Sequence, residues 1–303
     1  MTSKHFIIAD VFTEKQFGGN QLAVFTDGSG LDTETMQNIA REMNYSETTF
    51  LLPPERGGDF RIRIFTPGQE LPFAGHPIVG TGYVIVAEKM KQHIEPVTSV
   101  KLEAGVGPIA VEVRVDGGRP GRSTMTQPLP EVRGVYSNIE ALAKALSLDH
   151  SLIDQKLPVE TVYNGIAVML VPVTTRAAIA SIQLDGGALA RISNEVGAQT
   201  VLTFTRETVS SESTVHCRVF APAAGVAEDA ATGSANGPLG AYLVRHKLLP
   251  VQTTTKIISE QGFEMKRPSI LHIDVDVDTS GGVTGVRVGG GVVISGRGEI
   301  FVS

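Results

Sequence analysis

The chain has 303 residues and a formal net charge of −6, a length that suits about two domains of ordinary size. Its acidic balance lacks the basic footprint of a nucleic-acid binder, and 42% hydrophobic residues give each domain a core. A single cysteine, Cys217, excludes an internal disulfide and any multi-thiolate metal site.

Near the N-terminus, the apolar run of Phe6, Ile7, Ile8 and Ala9 ends at Asp10, which is too short for a signal peptide. No later stretch approaches the ~18 apolar residues of a membrane helix. The expectation is a soluble, reduced, cytoplasmic protein without membrane or nucleic-acid partners. Met36, Ile39 and Met43 have helical spacing. Thr48 to Leu52 reads as a strand with Glu47 at its start, and Tyr45 and Phe50 are placed to shield that carboxyl from water. Arg63 to Pro67 is a second strand, followed by a loop, Gly75-His76-Pro77 and a continuous apolar run from Ile78 to Ala87. Such a run suits a helix wrapped on all sides, with Pro77 in its first turn. Val111 to Val115 alternates as a half-buried strand does.

Gln127-Pro-Leu-Pro130 reads as a linker between a strand and a helix. The helix has apolar positions Ile139, Leu142, Ala143 and Leu146, with Ser137 and Glu140 as a capping box. Leu189, Ile192 and Val196 repeat the helical spacing. Arg218 to Ser234 is again a strand, a loop and a glycine, Gly233, before an apolar run through Leu239, Ala241, Tyr242 and Leu243. Ile273 to Asp278 and Val286 to Val288 alternate as strands.

The second half of this list echoes the first. Asn20-Gln-Leu-Ala-Val24 matches Asn164-Gly-Ile-Ala-Val168, 144 residues on. Arg63-Ile-Phe-Thr-Pro67 matches Arg218-Val-Phe-Ala-Pro222 at 155, Ala74-Gly-His76 matches Thr232-Gly-Ser234 at 158, and Leu102-Glu-Ala-Gly105 matches Ser259-Glu-Gln-Gly262 at 157. Matches in one order with a slowly drifting offset indicate a duplicated domain, far longer than a solenoid repeat. The predicted fold is α+β: two pseudo-symmetric domains, residues 1–127 and 128–303, each a curled, mostly antiparallel sheet around one buried helix.

Chemistry points to the two helix starts. A glycine there lets a ligand approach the backbone, and free N–H groups with the positive dipole end favour an anion such as a carboxylate. Because the halves repeat, both starts are expected to face one interdomain cleft. His76 stands at the first start and Ser234 at the equivalent place in the second, where it reads equally as a cap. Glu47 aligns with Thr200, and Asp229 is assigned to a three-residue insertion of the second half, so each acid exists in one half only. A buried Glu47 with a raised pKa suits proton donation and acceptance near neutrality. Glu103 and Glu260 recur in both halves, which favours a structural role, and Cys217 reads as a buried strand residue.

Several motifs resemble the phenazine-biosynthesis PhzF-like family, of the diaminopimelate-epimerase-like fold. They are Asp10-Val-Phe-Thr13, Phe17-Gly-Gly-Asn-Gln-Leu-Ala-Val24, Ser46-Glu-Thr-Thr-Phe50, Glu70-Leu-Pro-Phe-Ala-Gly-His-Pro77, Glu228-Asp-Ala-Ala-Thr-Gly-Ser-Ala235 and Glu260-Gln-Gly262. The resemblance covers essentially the whole chain. It implies a homodimeric, cofactor-independent isomerase with no metal, acting on a small carboxylated substrate at the domain interface. In the family's isomerase a glutamate moves a proton along a cyclohexadiene amino acid, and the matching residue is Glu47. The family's histidine, aspartate and serine fall on His76, Asp229 and Ser234, and its glycine contacts on Gly75 and Gly233. Gln21, Ile78 and Ala230 depart from the family pattern, and the last two bear on substrate identity. A two-thiol racemase of the same fold needs a cysteine at each helix start, where this chain has Ala74 and Thr232. A non-catalytic binding or scaffold protein of the same fold is the alternative reading.

Overall fold

The computed structural model describes residues 2–222 and 225–302, so Ala223 and Ala224 of the second helix-start loop lie outside the described residues. The chain forms two compact units, one of Met1–Thr126 with Gly289–Ser303 and one of Gln127–Val288.

The first unit runs β1 (Thr2–Val11), β2 (Asn20–Phe25), α1 (Thr33–Met43), β3 (Glu47–Leu52), β4 (Phe60–Phe65), β5 (Glu70–Leu71), α2 (Gly75–Ala87), β6 (Val97–Ala104), β7 (Gly107–Asp116) and β8 (Arg119–Gln127). β2 and β3 pair in parallel, as do β4 and β6, while β1–β2, β3–β4, β4–β5, β6–β7 and β7–β8 are antiparallel. The sheet curls around α2, of which only Tyr83 and Ala87 are not fully buried. Small residues allow this wrapping: a Cβ at Gly82 would lie 2.5 Å from Val111 Cγ1. On its other face, β3 and its neighbours stack Phe25, Phe50 and Phe65 under Met36, Ile39 and Ala40 of α1.

The second unit repeats the plan. It runs β9 (Glu131–Tyr136), α3 (Ile139–Ala145), β10 (Val159–Tyr163), β11 (Ala167–Pro172), α4 (Arg176–Ser181), α5 (Gly186–Glu195), β12 (Thr200–Thr205), β13 (Val215–Ala221), β14 (Val226–Asp229), α6 (Gly233–Arg245), β15 (Thr254–Gln261), β16 (Ser269–Val277) and β17 (Val283–Gly290). The parallel pairs are β11–β12 and β13–β15, the counterparts of β2–β3 and β4–β6. All of α6 except Arg245 is buried, and a Cβ at Gly240 would lie 2.7 Å from Ile273 Cγ2.

The last strand, β18 (Val292–Val302), pairs antiparallel with β1 in the first unit, just as β9 pairs with β10 in the second. The C-terminal segment therefore belongs by contact to the first unit, where the sequence reading had left it with residues 128–303. Two local expectations also change. Gln127 to Pro130 joins strand β8 to strand β9 and not to a helix. Asn138, not Ser137, caps α3, its side chain accepting the Ala141 N–H.

Duplicated side-chain bonds hold the duplicated backbone. Arg63 makes a two-pronged pair with Glu70 at 2.7 and 2.6 Å, and Arg218 makes the same pair with Glu228 at 2.8 and 2.8 Å. Buried Glu103 accepts the backbone N–H groups of Glu55, Arg56 and Gly58, and buried Glu260 accepts those of Val209 and Ser210. Both glutamates thus serve as loop anchors. Cys217 is fully buried, and burial pushes its thiol up to about 12, which leaves it unreactive.

His216 lies fully buried between Glu260 and Glu264, 2.9 Å from each. Burial alone would lower its pKa, but the two carboxylates outweigh that and raise it from 6.5 to about 9. An imidazole raised on folding adds stability that is complete below 6.5 and lost as pH rises through about 9. In urea titrations, the stability gap between the parent and His216→Gln is expected to be widest near pH 6 and to shrink progressively as pH rises to about 9. A gap that instead grew as pH rose through 6.5 would show that the imidazole is neutral in the folded protein.

Candidate active site

Within the first unit, the chemistry starts from strand alternation. Glu47 opens β3, and residues i and i+2 of a strand share a face. Glu47 and Thr49 therefore point toward α2, where Thr49 Oγ1 lies 3.0 Å from Thr81 Oγ1. Phe50 falls on the opposite face, in the α1 core with Tyr45 packed against it. Phe50 therefore does not shield Glu47, contrary to the sequence expectation. The neighbour is His76: its Nε2 lies 3.3 Å from Glu47 Oε2, and the two side chains are 3% and 14% exposed.

His76 is the second residue of α2 and its Nδ1 lies 3.1 Å from Asn20 Nδ2 at the start of β2. Burial pushes the imidazole down from 6.5 to about 3, with a hydrogen bond to the Gln21 backbone opposing weakly. The positive end of α2 also disfavours an imidazolium there. His76 is thus a neutral imidazole at any ordinary pH.

Within the second unit, Asp229 ends β14 and Gly233 opens α6. The pairing of Ile64 with Leu71 and of Val219 with Asp229 makes Leu71 the counterpart of Asp229. Asp229 is therefore not inside an insertion; an apolar residue holds its place in the first unit. Asp229 Oδ2 accepts the Thr232 hydroxyl at 2.5 Å. Ser234 is 3% exposed in the first turn of α6, where His76 stands in α2.

The start of α6 is braced by amides that the sequence reading did not single out. Pro238 lies inside the helix and has no N–H for the Ser234 carbonyl four residues earlier. Asn164 Nδ2 supplies that bond at 2.9 Å, and Gln127 Nε2 donates to the Gly233 carbonyl at 2.8 Å. A proline five residues after the helix-start glycine was the sequence signal that such a donor must exist.

The two central helices also start differently from the others. Asp32, Asn138, Thr175 and Asp185 cap α1, α3, α4 and α5 with side-chain hydrogen bonds, whereas Ala74 and Thr232 give α2 and α6 none. Neither buried helix has its first N–H groups taken by its N-cap side chain; in α6 the Thr232 N–H goes to Gln261 Oε1 and the Ala235 N–H to the Thr232 carbonyl.

The features so far define an α+β protein of duplicated build, each unit wrapping a sheet around one helix and gathering acid–base side chains at that helix's uncapped start. The chain belongs to the phenazine biosynthesis-like protein family (PhzC-PhzF), whose model matches residues 9–298. It is 37% identical over 298 residues to a trans-2,3-dihydro-3-hydroxyanthranilate isomerase of Pseudomonas chlororaphis, with 98% of this chain and 99% of that protein covered. A PhzF-family phenazine biosynthesis protein of Bacillus anthracis superposes with a TM-score of 0.90 at 26% identity over 100% of both chains. A hydroxyproline epimerase of Agrobacterium vitis shares the fold alone: TM-score 0.68, 13% identity, 99% and 91% covered. The curated relatives are named isomerases, and this chain is an enzyme of that kind.

An imidazole lowered on folding adds stability that is complete above 6.5 and lost as pH falls toward 3. Nitrogen NMR of histidine-labelled protein is expected to show His76 still neutral at pH 5. A His76 signal that titrates near 6.5 would mean that the ring is solvated or held charged by Glu47.

Proposed function

We propose that the enzyme moves a proton along a small cyclic, carboxylated substrate of the dihydroanthranilate type, with Glu47 as the group that takes and returns it. The observation that carries this reading is the Glu47–His76 contact, a nearly buried carboxylate against a neutral imidazole at an uncapped helix start. A carboxylate can only shuttle a proton to carbon if it is sheltered from water and aimed by its neighbours. In this reading the Asn20 amide donates to Nδ1, 3.1 Å away, and the imidazole carries its own proton on Nε2, toward Glu47. His76 then acts as a neutral donor that orients the carboxylate or the substrate, and not as a cation.

The substrate class follows from the relative of Pseudomonas chlororaphis, whose name specifies trans-2,3-dihydro-3-hydroxyanthranilate. In this reading the substrate carboxylate lies on the N–H groups at Gly75 or Gly233. Asp229 and Ser234 serve the amino group and the second proton, and the two helix starts serve one substrate across the domain interface. The enzyme works as a homodimer in the cytoplasm without metal or cofactor, and exhaustive dialysis against a chelator is expected to leave turnover unchanged.

Glu47→Gln keeps the shape and hydrogen-bonding capacity of the side chain but cannot carry the proton. Turnover of trans-2,3-dihydro-3-hydroxyanthranilate, followed by deuterium uptake from heavy water, is expected to fall by roughly 10²-fold or more with folding unchanged. Undiminished exchange by this variant would remove Glu47 from the chemistry and make Asp229 the leading base.

A further inference from the structure

Gln261 is fully buried at the end of β15, and apart from a long contact from Cys217 Sγ at 3.8 Å the hydrogen bonds of its amide go to one turn and one helix. Its Nε2 donates to the Asp229 carbonyl at 2.8 Å and to Thr232 Oγ1 at 3.0 Å. Its Oε1 accepts the Thr232 backbone N–H at 3.1 Å and Asn236 Nδ2 at 3.1 Å. The orientation of this amide is not arbitrary. A backbone carbonyl can only accept and a backbone N–H can only donate, so the nitrogen must face Asp229 and the oxygen must face Thr232 N. Asn236 is fixed the same way, since its Nδ2 also donates to the Thr232 carbonyl at 3.0 Å.

The hydroxyl of Thr232 has one proton. Because it receives a hydrogen bond from Gln261, that proton is available for Asp229 Oδ2, 2.5 Å away. This explains why Thr232, at a position where threonine ordinarily caps, makes no capping bond to α6. It also requires Oδ2 to be an acceptor, since a proton on that oxygen would oppose the threonine's own.

The first unit provides an internal control. By the register of the repeat, Asp229, Thr232, Asn236 and Gln261 correspond to Leu71, Ala74, Ile78 and Ala104, all apolar. The neighbouring Glu103 and Glu260, which anchor loops, are kept in both units. A bracing network needed by the fold would recur with them; this one does not. We infer that Gln261 is a positioning residue that, through the Thr232 hydroxyl, holds Asp229 as an oriented proton acceptor at Oδ2.

The inference rests on the reading of Asp229 as a site residue, and Asp229→Asn tests that separately with the same assay. Gln261→Met is expected to lower kcat about tenfold with KM within about twofold, because a misaligned acid–base group costs rate more than binding. That change also strands two backbone groups, so Thr232→Val is the second variant, with the same expected loss. Thr232→Ser, which returns the hydroxyl, is expected to recover kcat to within about threefold of the parent, and Gln261→Met/Thr232→Val to be no worse than Thr232→Val alone. NMR of the free protein supplies a readout independent of turnover: a slowly exchanging Thr232 hydroxyl proton, present in the parent and lost in Gln261→Met. Losses that multiply in the double variant, or a Thr232→Ser enzyme as slow as Thr232→Val, would overturn the inference. If Asp229→Asn keeps full turnover, the assignment of Asp229 fails and the inference with it.

Discussion

Burying a helix on every side constrains everything else in each unit. A wrapped helix can carry a polar side chain only where it finds a partner, as Thr81 and Asn236 do, so α2 and α6 are built mostly from small and apolar residues that let the sheet close tightly over them. Their backbone groups satisfy one another except at the first turn, where four N–H groups lack internal partners. The other four α-helices meet that need with a side-chain cap, and these two do not. The polar chemistry of the candidate site gathers where the helix's own backbone hydrogen bonding is incomplete by construction, at Gly75-His76 and at Gly233-Ser234.

The duplication separates support from chemistry. The Arg63–Glu70 and Arg218–Glu228 pairs are alike in geometry but differ in setting. Arg218 and Glu228 are 10% and 18% exposed, while Arg63 and Glu70 are 15% and 39% exposed. Breaking a buried pair costs about 3–5 kcal/mol because a charge is left without a partner, whereas an exposed pair is worth about 0–1. The second pair, which also satisfies the Ile179 and Ile182 carbonyls through Arg218, therefore carries more of its unit's stability. Against these retained contacts, Glu47 faces Thr200 in the repeat, His76 faces Ser234 and Asp229 faces Leu71. A scaffold present twice can lose or gain such side chains in one copy without losing its fold.

The environment of the two histidines shows how location decides charge. His216 is as buried as His76, yet two carboxylates 2.9 Å away hold it protonated to about 9. His76 has an amide on one nitrogen, sits at the positive end of a helix, and is neutral down to about 3. The first is a structural cation that clamps β13, β15 and the Glu264 turn; the second is a polar group kept uncharged beside the candidate base.

Much of this was legible in the sequence because it depends on periodicity and on repetition. The alternating strands, the two continuously apolar helices behind a glycine and the duplication follow from residue type and spacing, whereas the choice of Glu47 and His76 leaned on the resemblance to the family. The family motifs were equally local. What the sequence could not determine depends on register and on which distant strand lies alongside. Strand β18 joins β1 because sheet pairing is long-range, so the C-terminus returned to the first unit. Phe50 turned away from Glu47 because a strand puts residues three apart on opposite faces. Asp229 proved to have a counterpart, Leu71, only once the β4–β5 and β13–β14 pairings were known. The Gln261 amide shows the limit most clearly: its residue type permits two orientations. Only the backbone groups that the tertiary structure brings to it, the Asp229 carbonyl and the Thr232 N–H, decide which way it points and where the threonine proton goes.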